Sequence, residues 1–172
     1  VVLQAYRQWG QSCVQRFKGM FAFCIWDSEE KSLFLARDHF GFKPLYYSFD
    51  DKRFMFASEI KAMGAKGSFC ESQLNYRALW DYLTYRYVPE PDTIWLGIKK
   101  LEPGHWIELD TEKWSMRVVR YWEIRFLRDN RQNQPKREEE HIEEFQWLFE
   151  DAVQRHLQAD VPVGVLLSGG LD

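Results

Sequence analysis

Apolar residues at positions 2, 5, 6 and 9 recur at helical spacing, and Gly10 follows as a stop. Residues 20–26 (Met-Phe-Ala-Phe-Cys-Ile-Trp) are apolar throughout and predict a strand buried on both faces. A polar turn over 27–31 and an apolar return over 32–37 make this a hairpin. Residues 44–48 and 53–57 flank the acidic turn Asp50-Asp51 and predict a second strand pair. A short helix is expected over 58–64, with Ser58 as its cap. Apolar positions 74, 76, 79, 80, 83 and 87 form a helical stripe, which Val88-Pro89-Glu90-Pro91 ends by starting an extended loop. Residues 100–109 read as a turn entering a strand, and 114–124 as its hairpin partner. To this point the pattern is a strand-rich sandwich with a few helices.

The pattern then changes. Asp129-Asn130-Arg131-Gln132-Asn133-Gln134-Pro135-Lys136-Arg137 has no apolar anchor, so residues 126–137 are expected to link a domain at 1–125 to another at 138–172. The basic residues here alternate with amides and lack interleaved aromatics, which favours a solvated linker over a nucleic-acid patch. Residues 138–157 follow as an amphipathic helix with apolar positions 142, 145, 148, 149, 152, 153 and 157. Glu138, Glu139 and Glu140 suit its positive N-terminal end. His141 and Glu144 lie three apart on it without a further ligand, and His156 is expected to pack near the apolar stripe. Residues 161–167 are apolar and β-branched, as in a strand of a parallel sheet.

Composition narrows the classes. Apolar residues make up 45% and charged residues 28% of the 172, so the chain can offset its ordering entropy and fold. A net charge of -3 argues against a general nucleic-acid coat. The aromatics, 17% of the chain, are therefore assigned to packing rather than base stacking. No apolar run reaches the roughly 18 residues a spanning helix needs, and no secretory leader opens the chain. Cys13, Cys24 and Cys70 lack metal spacing and read as free thiols of a reducing, cytoplasmic compartment. The chain opens at Val1 inside a helical pattern and closes at Asp172 just after a Gly-Gly, which reads as an excerpt of a longer protein.

The candidate chemistry lies at that last turn. Ser168-Gly169-Gly170-Leu171-Asp172 directly follows the expected strand. Glycines let main-chain N–H groups approach oxyanions, and the carboxyl end of a parallel strand is where such folds hold ligands. No Gly-Lys-Ser/Thr follows, so this is no Walker loop. By itself the pair of glycines fits a phosphate seat or an ordinary tight turn. Elsewhere, Arg37-Asp38-His39 has the look of an acid–base cluster, but a charge network bracing the turn at Gly41 and Pro44 is preferred. Ser58-Glu59 reads as a helix cap rather than a nucleophile pair, and Tyr85-Arg86-Tyr87 as a helix end or a domain-facing surface.

Leu167-Ser168-Gly169-Gly170-Leu171-Asp172 resembles the SGG-L/V-D-S pyrophosphate loop of the N-type ATP pyrophosphatases. Residues 159–167 look like the lead-in found in glutamine-hydrolysing asparagine synthetases. Gly19-Met20-Phe21-Ala22-Phe23 with Trp26-Asp27, then 36–47, then Ala57-Ser58-Glu59-Ile60-Lys61-Ala62, then Leu101-Glu102-Pro103-Gly104-His105 look like the second half of a class II glutamine amidotransferase domain. The blocks occur in the family's order. The resemblance implies an α+β then α/β chain: the second half of an αββα N-terminal-nucleophile sandwich, followed by the first helix and strand of a parallel-sheet ATP-pyrophosphatase domain. It implies ammonia drawn from glutamine, and ATP-dependent activation and amidation of aspartate. Leu166 would border the nucleotide, Ser168, Gly169 and Gly170 would bind phosphates, and Asp172 would help hold Mg2+. Glutamine, aspartate and ATP are the implied partners, with no nucleic acid and no membrane; a homodimer of the parent enzyme is compatible. The family's nucleophile is a cysteine at the first mature residue; position 1 here is Val, and no cysteine of the chain matches it, so no catalytic residue is assigned. The 172 residues alone are expected to catalyse neither half-reaction. A related amidotransferase acting on another carboxylate, or a non-catalytic module reusing the sandwich, are the alternatives.

Overall fold

Strand β2 (Ser32–Arg37) organises the molecule because both of its faces are covered. In the computed structural model, which describes residues 1–64, 73–125, 137–167 and 169, it lies inside an antiparallel sheet of order β1-β2-β6-β7. Its neighbours are β1 (Ala22–Asp27) and β6 (His105–Asp110), and β7 (Ser115–Arg120) extends the sheet beyond β6. Alternation along the strands sends Phe34, with its cross-strand partner Ile25, and Ala36, with its partner Trp106, to one face. There they pack with Ala5, Cys13 and Val14 from helix α1 (Val2–Trp9) and the 3-10 helix Gly10–Arg16. Leu35 and its partner Ile107 point the other way and pack with Leu45, Tyr47 and Leu101. Tyr47 belongs to a second antiparallel sheet of order β4-β3-β5, made of β3 (Tyr46–Phe49), β4 (Phe54–Ala57) and β5 (Lys99–Lys100). Helix, sheet and sheet thus form successive layers. Helices α2 (Ile60–Met63) and α3 (Tyr76–Tyr85) complete the first compact unit, Val1–Ile124. The second unit, Arg125–Asp172, contains helix α4 (Glu138–His156).

The expected hairpins at 20–37 and 100–124 are present, as is the pair around Asp50, whose carboxylate caps the turn by accepting from the amides of Lys52 and Arg53, both at 2.8 Å. Several expectations need correction. β1 is not buried on both faces: it is an edge strand, only Ile25 is fully buried, and Trp26 is half exposed. Its apolar run matches that of β2, but position in the sheet, which periodicity does not encode, decides burial. Ser58 does not cap α2; the cap position falls to Glu59, in extended conformation and without a side-chain cap bond. Helix α3 is capped by Asn75, whose Oδ1 accepts from the Ala78 amide at 3.2 Å. Its large apolar side chains Tyr76, Trp80 and Leu83 are exposed, while small Ala78, on the opposite face, is buried. His156 is exposed, with Nδ1 2.7 Å from Ala152 O of its own helix, rather than packed on an apolar stripe. Residues 161–167 form no strand, because a parallel strand exists only with a hydrogen-bonded neighbour and the described residues offer none.

The end of β2 carries a buried polar hub. Arg37 and Asp38 are 2% and 1% exposed. The Arg37 guanidinium donates from Nε to Lys43 O at 2.8 Å, from Nη2 to Gly41 O at 2.6 Å, and from Nη1 to Leu101 O and to Glu90 Oε1, the latter at 3.2 Å. Asp38 Oδ1 accepts from the amides of Phe40 and Phe42 at 3.1 and 3.0 Å, and Oδ2 from those of Lys43 and Phe21 at 3.0 and 3.2 Å. The Asp38 carbonyl also accepts from Gly41 and Gly104. A Cβ at Gly41 would lie 2.7 Å from the Arg37 guanidinium, which its hydrogen bonds hold in place, and φ there is +68°. At Gly104, φ is +65° and a Cβ would meet Trp122 O at 2.6 Å.

Arg37→Ala strands three carbonyls and takes one cation from Glu90, which keeps Lys100, and we expect it to cost about 3–5 kcal/mol. Asp38→Ala leaves four amides without an acceptor and is expected to cost about 3 kcal/mol or more. The midpoint of urea unfolding checks both; a loss under 1 kcal/mol for either would show that the hub is dispensable.

Candidate nucleotide-binding site

Helix α4 leads into the predicted phosphate loop. Glu138, Glu139 and Glu140 occupy its first turn and Arg155 its last, an arrangement that complements the helix dipole at both ends. Arg155 Nε donates to Asp151 at 2.7 Å, one turn earlier. The helix ends at Leu157, and residues 159–167 continue without regular structure to the loop. Leu166 is fully exposed. Gly169 has φ of +73°, a left-handed conformation that L side chains rarely adopt, and a Cβ there would meet nothing within 4 Å. The requirement for glycine at 169 is therefore conformational rather than steric. A left-handed residue is one element of the backbone pattern that, in anion-binding loops generally, turns successive N–H groups inward. Ser168, Gly170 and Asp172 lie outside the described residues, as do Cys70 and most of the expected linker.

Other candidates resolve into structure. Arg37, Asp38 and His39 form no acid–base dyad: both Asp38 oxygens are taken by backbone amides. The expected charge network around Gly41 is what they build, with Arg37 also reaching Glu90, 53 residues away. His39 is instead wedged edge-on against Phe21, Tyr121 and Trp122. Ser58 and Glu59 are exposed. Cys13 is buried, and Cys24 is half-buried with its thiol pushed up to about 11 by desolvation. Both are held as neutral thiols, the opposite of what a nucleophile needs. Among the described residues no cluster of three His, Cys, Asp or Glu is placed to hold a metal, and no helix is long and apolar enough to cross a membrane.

Comparison with known proteins decides the class. A family model described as "Glutamine amidotransferase domain" matches residues 1–122. The chain belongs to that family. A second model, "Asparagine synthase", matches residues 144–172, the segment that holds the glycine loop. Asparagine synthetases [glutamine-hydrolyzing] 1 and 3 of Bacillus subtilis are 34% and 35% identical over the full length of this chain, which spans 26% and 27% of theirs. A Penicillium rubens protein named amidase chyE is 31% identical over the full chain and is spanned to 25%. The chain thus spans about a quarter of these relatives. The antiparallel sheets and their helix layer are compatible with the expected amidotransferase sandwich.

The sequence reading missed the reach of the hub to Glu90 and Leu101, and a polar row across the four-stranded sheet, Ser32–Asp110–Ser115. A serine opening an otherwise apolar strand was the only local signal for that row.

Burial lowers the affinity of His39 for its proton below the ordinary 6.5, and the nearby Asp38 charge opposes this more weakly. The neutral ring is favoured in the fold. Its contribution is complete above pH 6.5 and declines as pH falls below it. His39→Gln should remove that part of the acid-side slope in a stability–pH profile; an unchanged slope would exclude His39 as its source. Cys13 and Cys24 should alkylate with iodoacetamide far more slowly in the native protein than in urea, and equal rates would contradict their burial.

Proposed function

We propose that this chain is the junction of a glutamine-dependent asparagine synthase, with a boundary near residues 126–137 between the amidotransferase domain and the start of the ATP-pyrophosphatase domain. The observation that carries this is the order of two matches in one chain: an amidotransferase domain over 1–122 and an asparagine synthase segment over 144–172 ending on the glycine loop. The reaction is the ATP-dependent amidation of aspartate. Glutamine hydrolysis supplies ammonia; ATP adenylates the aspartate side chain with release of pyrophosphate; ammonia displaces AMP to leave asparagine. The logic is chemical. A carboxylate is a poor electrophile, and an acyl adenylate carries a good leaving group.

In this reading the chain contributes to the second half. Ser168, Gly169 and Gly170 hold the phosphates that leave, placing main-chain donors where negative charge grows. Leu166 borders the nucleotide with an apolar surface. The left-handed Gly169 fits such a role, since it frees the backbone to face an anion. Asp172, a hard carboxylate, fits Mg2+, which would neutralise phosphate charge. Without the N-terminal nucleophile the 172 residues alone catalyse neither half-reaction. The free thiols Cys13 and Cys24 support a reducing, cytoplasmic setting. A second reading, amidation of a different carboxylate, is favoured by one finding: a relative of similar identity is named an amidase rather than a synthetase.

The test is pyrophosphate release by the intact protein. It should require ATP and aspartate, with glutamine or ammonia as nitrogen source. Gly169→Val should lower it roughly 100-fold, because a β-branched residue cannot take the left-handed backbone and a phosphate donor is misplaced. Release that needs neither aspartate nor a nitrogen source would refute the proposal. Release driven by another carboxylate in place of aspartate would establish the second reading.

A further inference from the structure

A cavity of about 640 Å3 opens where α1 meets the 3-10 helix, above the turn end of the four-stranded sheet. The ladder builds its floor. Ser32 pairs with Asp110 and Asp110 with Ser115, so their side chains form one row across β2, β6 and β7. Glu108 and Arg117 pair in the neighbouring row on the same face. Gly10 and Gln11 close it from the helical side.

Two features mark this cavity as more than a surface dent. Ser32 is only 9% exposed, yet its hydroxyl bonds to none of the described residues. Every fully enclosed side-chain polar atom among them has a partner, so this hydroxyl is reached through the cavity that it lines. A buried hydroxyl without a partner is costly unless something else supplies the bond. The charges are also paired within the lining. Glu108 is clamped between the Gln11 side-chain amide and Arg117, at 2.8 Å from the latter. Arg117 also stacks over Trp106 with its guanidinium carbon 5.0 Å from the ring centroid. Asp110 accepts from the amides of Glu112 and Lys113 and from the Lys113 ammonium at 2.9 Å.

Glu30, Glu108 and Asp110 thus share the lining with Lys113 and Arg117. A simple anion would face three carboxylates, and a simple cation two positive groups. A molecule bearing both charges satisfies both sets. We propose that this cavity binds a small zwitterion of the α-amino-acid class, with its carboxylate toward Lys113 and Arg117 and its ammonium toward Glu30 and Glu108. The Ser32 hydroxyl donates to the ligand carboxylate. The site is built wholly from the first unit and shares no residue with the glycine loop. It is therefore separate from the synthase reading, although the reactants of that reading belong to the same chemical class.

Hydrogen exchange of the intact protein, read by mass spectrometry during titration with L-asparagine, L-glutamine or L-aspartate, tests this. At least one of them should protect peptides covering residues 28–35 and 106–118 in a saturable way. N-acetyl-L-asparagine, which lacks the ammonium, should not. Ser32→Ala removes only the hydroxyl, and should weaken binding at those peptides about tenfold, the effect of losing one buried hydrogen bond. Arg117→Gln should weaken it by at least as much. Unchanged exchange elsewhere verifies that each variant is folded. No protection at these peptides, equal protection in Ser32→Ala, or a crystal structure with ordered water alone beside Ser32 would overturn the proposal. Protection confined to other segments would place the amino acid at the substrate sites of the synthase, leaving that reading intact and this one refuted.

Discussion

The buried Arg37 guanidinium and Asp38 carboxylate hold the first unit together at the point where no apolar packing could. β2 ends there, and the chain turns through residues 39–43 with its backbone amides inward. Buried amides and carbonyls must find partners. Asp38 supplies acceptors for four amides, and Arg37 supplies donors for three carbonyls and Glu90. The two charges do not pair with each other. Each satisfies a different strand end, turn or loop, so one dipeptide ties together segments around residues 21, 41, 90 and 101. Glu90 in turn reaches Lys100 at the edge of the second sheet. The glycine at 41 is required by this arrangement, since the Arg37 guanidinium leaves no room for a Cβ, and the glycine at 104, whose amide donates to the Asp38 carbonyl, is required by the approach of the Trp122 backbone.

Around that hub the sandwich follows from strand order. β2 and β6 are central and largely covered, while β1 and β7 are edges and are half exposed. Toward one end of the sheet, the apolar face covered by α1 gives way to a row of polar side chains, and the cavity of mixed charge opens there. The second unit contrasts with this. Ile142, Phe145, Leu148, Phe149 and Val153 of α4 are all exposed among the described residues, and local factors favour the helix. These are its acidic first turn and its basic last turn, which complement the helix dipole over 19 residues.

Much of this was legible in the amino-acid pattern. The hairpins over 20–37 and 100–124 announced themselves through apolar runs broken by polar turns, and α1 and α4 through their 3.6-residue stripes. The bracing role of Arg37 and Asp38 was readable because an adjacent charge pair inside an apolar run must be satisfied locally. What misled was burial. The run at 20–26 and the run at 32–37 look alike, yet one lies at the sheet edge. The stripe of α3 looks like a core face, yet the helix turns Ala78 inward. Residues 161–167 have the apolar, β-branched composition of a strand, and no strand among the described residues pairs with them.

Sequence alone located most of the helices and hairpins, the dipeptide that had to be compensated, and a glycine pair directly after an apolar, β-branched run. These are short-range matters of periodicity, turn chemistry and backbone freedom. Tertiary structure decided which strands are central, which helix face is covered, that Glu90 and Leu101 complete the hub, and that Ser32, Asp110 and Ser115 share a row. Such facts depend on pairing between segments up to about 80 residues apart, and a side chain's neighbours across a ladder are set by register rather than by its own position in the chain.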